Sequence, residues 1–180
     1  MKSFILAVVC LLTVSASAQA QSEIDRALAP LGERARGSAA VVHWNADYTY
    51  ETLKEGTSQL VCYDRSSERD RSPFAVQCTT LSNLDRVAQN RRFRVETTDG
   101  ASESALIEAA EANGTRAEVA YGSMWMAMSG DDMASAGLHY TIAVPGATAE
   151  STGFPTTRDG GGTYLMAAGT GGAHIMVPGR

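Results

Sequence analysis

The sequence predicts one α+β domain: an antiparallel sheet, two or three helices packed on one side of it, and one disulfide. Three observations lead there. Short alternating or apolar runs, punctuated by Gly, Asn and Asp, fill both ends of the chain after its first twenty residues, as strands and turns do. Helical spacing is confined to an early segment and to the middle, around 82–113. Cys62 and Cys78 are an even pair that follows a leader, and an oxidising compartment favours their bridging.

The leader is read from residues 1–20. Lys2 is its positive start, Phe4 to Val14 an apolar run too short to cross a bilayer comfortably, and Ser17-Ala-Gln-Ala20 its small-x-small cleavage pattern. Cleavage is expected after Ala20, with Ala18 the alternative, and Cys10 leaves with the peptide. Residues 21–180 then form the single domain. No later segment is long and apolar enough to span a membrane. The chain carries 15 basic and 20 acidic residues, so losing Lys2 takes the formal net charge from −5 to −6. That balance excludes nucleic acid as a partner, because phosphate binding needs a basic face. Lys54 is the only lysine beyond the leader. An arginine-rich, lysine-poor chain with this leader fits a bacterial exported protein, periplasmic or secreted.

In chain order, residues 22–34 suggest a short helix, with Ser22 as cap and Ile24, Leu28 and Leu31 as its stripe until Pro30 bends or ends it. Strands follow at Ala39–Trp44, Tyr48–Leu53 and Gln59–Tyr63, and their short turns predict an antiparallel meander. The mixed-charge stretch Asp64–Pro73 between the cysteines reads as a solvated loop. Phe74–Thr79 returns to the sheet. Ser82-Asn-Leu-Asp has a capping-box pattern, and from Arg92 an alternating pattern suggests that the helix yields to extended chain. Ser102–Asn113 is a second helix stopped by Gly114. Strands are then expected at Ala117–Tyr121, Ser123–Ser129, Leu138–Val144, Thr163–Ala168 and Ala173–Val177, the last two as a hairpin across Gly169-Thr-Gly-Gly. Gly122 is placed at a bend, and 145–162 reads as a long surface loop.

Trp125-Met-Ala-Met-Ser-Gly-Asp-Asp, with Gly172-Ala-His-Ile-Met-Val-Pro far downstream, resembles a group of small exported bacterial proteins. In that group a Tyr/Trp-Met strand leads to Gly and Asp, and a Gly-Pro-His-x-Met-Ile segment lies near the end. An Ala-x-Val-Val strand near the start and two cysteines after a turn such as Lys54-Glu-Gly-Thr belong to the same pattern. This chain departs from it at Ala173, where the group has proline, and in the arginine-rich insert between the cysteines. The resemblance implies export and the disulfide, and it implies no activity.

Chemistry concentrates in a few side chains. Met124, Met126 and Met128 recur at every second position, so a strand places them on one face. Methionine there is either adaptable core packing or a thioether set for copper, as Cu(I), completed by imidazole. The hairpin is expected to put His174 and Met176 on a face with Leu165 and Ala167, and Tyr164, Met166, Ile175 and Val177 on the other. A metal set forms if the Met strand lies beside the His174 face. His139, Asp131 and Asp132 are further candidates, and the two aspartates also suit a turn. No G-x-S-x-G, no H-E-x-x-H and no free nucleophilic cysteine is present. The leading expectation is therefore a non-catalytic exported binding protein for a small ligand, a metal or an envelope partner. The alternatives are a hydrolase-type enzyme using His174 or His139 with Asp131 or Asp132, and a structural envelope component.

Overall fold

The computed structural model describes residues 19–159 and 161–179, so the leader expected at 1–20 lies outside it except for residues 19 and 20. Among the described residues, an eight-stranded sheet runs in the order β2-β1-β3-β4-β5-β6-β8-β7. The strands are β1 (Ala40–Trp44), β2 (Tyr50–Lys54), β3 (Leu60–Asp64), β4 (Phe74–Thr80), β5 (Met124–Gly130), β6 (Gly137–Ala143), β7 (Tyr164–Met166) and β8 (His174–Pro178). The helices are α1 (19–27), α2 (Glu33–Ser38), α3 (Leu84–Glu96), α4 (Gly100–Ala112) and α5 (Ala149–Thr152). The α+β class and the bridge between Cys62 and Cys78 are as expected. Among the described residues, no helix is long and apolar enough to cross a membrane.

The first three strands are not a meander. β1 pairs antiparallel with β2 but parallel with β3, so β2 is pushed to the edge. The chain must cross the start of β1 to do this, and Gly56 makes the crossing. A Cβ there would lie 2.4 Å from the Ala40 nitrogen, which only glycine avoids. The neighbouring Thr57 and Ser58 amides donate to the Ser38 carbonyl. β4 then pairs antiparallel with β3, with Cys62 directly opposite Cys78. Closing a loop between residues 16 apart is worth about 3 kcal/mol in the chain-entropy model.

Helices lie on both faces of the sheet rather than on one. α1 places Ala27, with Leu28 and Leu31 beyond it, against Val41, Cys62, Cys78 and Met126. On the other face, Leu84 and Val87 of α3 pack on Val42, Trp44, Val61 and Tyr63, with Trp125 at the margin. The early helix stops before Pro30, and α2 resumes at Glu33. His43 Nδ1 lies 2.6 Å from the Glu23 carboxylate, and Arg26 donates to Asp64 at 2.9 Å, so polar contacts also hold α1 to the sheet.

α3 departs from expectation at both ends. The capping box expected at Ser82 is not formed: Ser82 lies in a 3-10 turn over Leu81–Asn83 with its hydroxyl 3.1 Å from that of Thr80, and Asn83, at the N-cap position, makes no capping hydrogen bond. The buried Asn83 amide donates to Thr79 and Ser123 hydroxyls, both at 2.9 Å, and accepts from the Ala120 amide. At the other end the helix continues to Glu96, because alternation after Arg92 does not report burial. Val95 is 72% exposed, while Arg91 and Arg94 turn inward to carboxylates. Segment 117–121 is irregular rather than a strand, and Gly122, at φ 74, makes the expected bend before β5. The 145–162 segment contains α5, capped reciprocally by Thr148 and Ser151.

Candidate functional site

The sheet register decides which candidates meet. Trp125 pairs with Thr141, Thr141 with Met176, and Met176 with Tyr164, so these four share the face that α3 covers. Met126 pairs with Tyr140 and Tyr140 with Val177, on the opposite face. Met124, Met126 and Met128 are therefore separated by the sheet from His174 and Met176. The hairpin is also one residue out of the expected register. Met166 lies opposite His174 and Leu165 opposite Ile175, so His174 and Met176 share their face with Tyr164 and Met166. The reason is a longer turn, which begins at Ala167 (φ 51) and includes Gly169 (φ 80). Among the described residues, no group of three or more His, Cys, Asp or Glu is placed to hold a metal ion.

Asp131 and Asp132 lie beyond the last β5–β6 pair, Ser129 with Gly137, in the turn itself. Asp132 accepts from the Ser135 amide and hydroxyl, both at 2.8 Å, which holds its carboxyl below the usual range. Among the described residues, neither His139 nor His174 has an aspartate partner. His139 lies on the α3 face, where burial and then the charges of His174 and Arg65 hold its imidazole below the ordinary value. His174 Nδ1 is 2.8 Å from the Gly172 carbonyl. A carbonyl only accepts, so Nδ1 carries the proton and Nε2 is left for another partner.

What the fold does assemble is a cationic cleft beside His174. It has a volume of about 260 Å³, and four arginines line it: Arg65, Arg71, Arg86 and Arg94. Gln77, Trp125, Thr141 and Ala143 form its floor, His174 closes one side, and no carboxylate reaches its wall. Arg86, Asn90 and Arg94 sit four residues apart on α3, so one helix face presents all three. Arg65 and Arg71 come from the charged segment between the cysteines.

That segment is not a solvated loop. Glu68, only 6% exposed at its side chain, gathers Arg65, Arg91 and Arg94 into direct contact, with Arg71 at 3.7 Å. Burial alone would raise its carboxyl pKa. The Arg65 hydrogen bonds and the charges of Arg65, Arg91 and Arg94 outweigh burial and lower it. Arg94 also reaches Glu103 of α4 at 2.8 Å, and Arg69 donates to the carbonyls of Arg94 and Thr97 at the end of α3. Arg65 spends its remaining donor on Gln77 Oε1 at 3.0 Å, an oxygen that also accepts from the buried Tyr63 hydroxyl. Glu68, Glu103 and Glu111 thus stand behind the arginines, and the guanidinium side faces the cleft.

The arginines are not equally engaged. Arg86 donates to the Ala117 carbonyl at 2.6 Å and weakly to Gly171 at 3.4 Å. Arg71 makes no side-chain hydrogen bond among the described residues. Its pKa is lowered by burial and then by the charges of Arg65 and Arg94, with Glu68 at 3.7 Å acting the other way. A larger cavity of about 530 Å³ lies on the far side of the same network, against Trp44, Tyr48 and Thr97. Its arginines are already committed: Arg91 and Arg94 to Glu68, Arg69 to backbone carbonyls. The smaller cleft has, besides the committed Arg65 and Arg94, the Arg71 side chain without a hydrogen bond and an Arg86 Nη2 held only at 3.4 Å.

Of the residues that the sequence singled out, His174 lines this cleft, and none of the cleft's arginines was among them. The legible signal was the spacing Arg86-x3-Asn90-x3-Arg94 inside a helix. Compared with known proteins, the chain matches no family model, no curated sequence and no solved structure, so its functional reading stands on this geometry.

Proposed function

We propose that the protein is a non-catalytic binding protein for a small anionic ligand, exported as its leader pattern implies, with the arginine cleft as its site. The observation that carries this reading is a wall of four arginines and one histidine without a carboxylate, in a chain whose net charge is negative. In a partly desolvated cleft, such a set is favourable only for anions and repels cations. An anion supplies what Arg71 lacks. Trp125 and Val119 give the same cleft an apolar wall, which suits an organic ligand. Among the described residues His139 and His174 have no carboxylate to orient them, and the reading needs no reaction.

Thermal unfolding in the presence of sulfate, phosphate and small carboxylates tests it, with matched amides and alcohols as neutral controls. A ligand that binds only the folded state at one hundred times its Kd adds about 2.7 kcal/mol. The expected result is a rise in Tm with anions alone, lost in Arg71→Ala. An equal response from the neutral controls, or an anion response untouched by Arg71→Ala, overturns the reading.

A further inference from the structure

The cleft is cationic at both ends and uncharged between them. Resting on the anion-binding reading, the geometry points to a ligand with two anionic groups at opposite ends of a short carbon skeleton, of which linear dicarboxylates are the simplest members. One end is built by Arg86, whose Nη2 is held only at 3.4 Å by Gly171 and lies 3.8 Å from Glu111, together with the free Nε2 of His174. The other end is built by Arg71, whose side chain makes no hydrogen bond among the described residues and lies 3.7 Å from Glu68, backed by Arg65 and Arg94. Arg86 and Arg94 are eight residues apart on α3, about 12 Å at ~1.5 Å per residue. Subtracting a contact of roughly 3 Å at each end leaves on the order of 6 Å between the two anionic groups. A skeleton of about four to six carbons spans that gap. Between the ends, Asn90, Trp125 and Thr141 offer amide, aromatic and hydroxyl surface and no charge. A single anion would leave one cationic end unanswered, and a dianion answers both.

Isothermal titration of the whole protein with succinate, glutarate and adipate, against butyrate, valerate and hexanoate, separates the two levels of the argument. The expected result is that the best dicarboxylate binds at least about tenfold more tightly than the monocarboxylate of equal length, a difference of about 1.4 kcal/mol. Arg71→Ala and His174→Gln, at opposite ends, should each bring the dicarboxylate down to the monocarboxylate's level. Arg71→Lys, which keeps the charge and loses the fork, should restore part of the difference. The Arg71 side chain makes no hydrogen bond among the described residues and lies 3.7 Å from Glu68, so Arg71→Lys, which keeps that charge, and the denaturant midpoint of each variant separate binding from folding. Equal affinity for mono- and dicarboxylates overturns the two-ended ligand and leaves the anion cleft standing. Binding of no carboxylate, and of no sulfate or phosphate in the same titration, with the proteins folded, overturns both.

Discussion

The two halves of the sheet are finished differently. In β1, β3 and β4 most residues are buried on both faces, because α1 covers one side and α3 the other. In β6 only Ala143 is buried, and in β8 no residue is. The closed half holds the disulfide and both hydrophobic clusters. The open half keeps half-exposed side chains such as Ile142, Tyr140 and Ile175. The arginine cleft lies at the boundary, where α3 stops being a hydrophobic lid and presents Arg86, Asn90 and Arg94 instead. The difference suggests a division of labour, in which stability is concentrated in one half and surface for recognition is left on the other.

Glu68 is where that division is easiest to break, since it joins the charged segment to α3. Glu68→Ala leaves buried guanidiniums without their shared carboxylate and should cost about 3–5 kcal/mol, read as a lower denaturant midpoint. A loss under 1 kcal/mol would mean that the network is dispensable to the fold. A matched pair of truncations comes next. Phe74→Ala, in the closed half at 1% exposure, should cost about 3–5 kcal/mol, whereas Ile142→Ala in the open half should cost roughly 1–2 kcal/mol. Equal costs would erase the contrast between halves.

The smallest effect is a pH dependence with two windows. His139 has a lowered folded-state pKa, so the folded protein resists its protonation. The corresponding stability is complete above about pH 6.5 and is lost as pH falls through the folded value. His139→Gln should flatten that loss between pH 7.5 and 5. Glu68 behaves likewise from a lower start: its contribution is present above about pH 4.5 and is lost further into acid, as the carboxylate held by Arg65, Arg91 and Arg94 is protonated. Denaturant midpoints measured across pH in wild type and His139→Gln check both windows. An unchanged slope in the variant would remove His139 from the account.

The closed half was largely legible in the sequence, because its strands carry continuous apolar runs and its cysteines form a pair. Three features hid from local pattern. The parallel pairing of β1 with β3 depends on a crossing at Gly56, which looks like any turn glycine. The charged segment Asp64–Pro73 has the composition of a solvated loop, and only its partners on α3 and α4, distant in sequence, show it to be structural. The β7–β8 register depends on where their turn begins, and a shift of one residue exchanges the β7 side chains that share a face with His174. The β5-β6-β8 pairing, between strands distant in sequence, separates the methionine row from His174 and leaves His174 beside the arginines.

The central claim is that the open half binds an anion at the arginine cleft. Two-dimensional ¹H–¹⁵N NMR of the wild-type protein during titration with succinate reads it most directly, because every backbone amide and the Trp125 indole report at once. The account predicts saturable shifts centred on Asn90, Trp125, Thr141, Gly172 and His174, with the Met126 face of the sheet unmoved. Shifts centred on Met124, Met126 and Met128, or none at all, would contradict it.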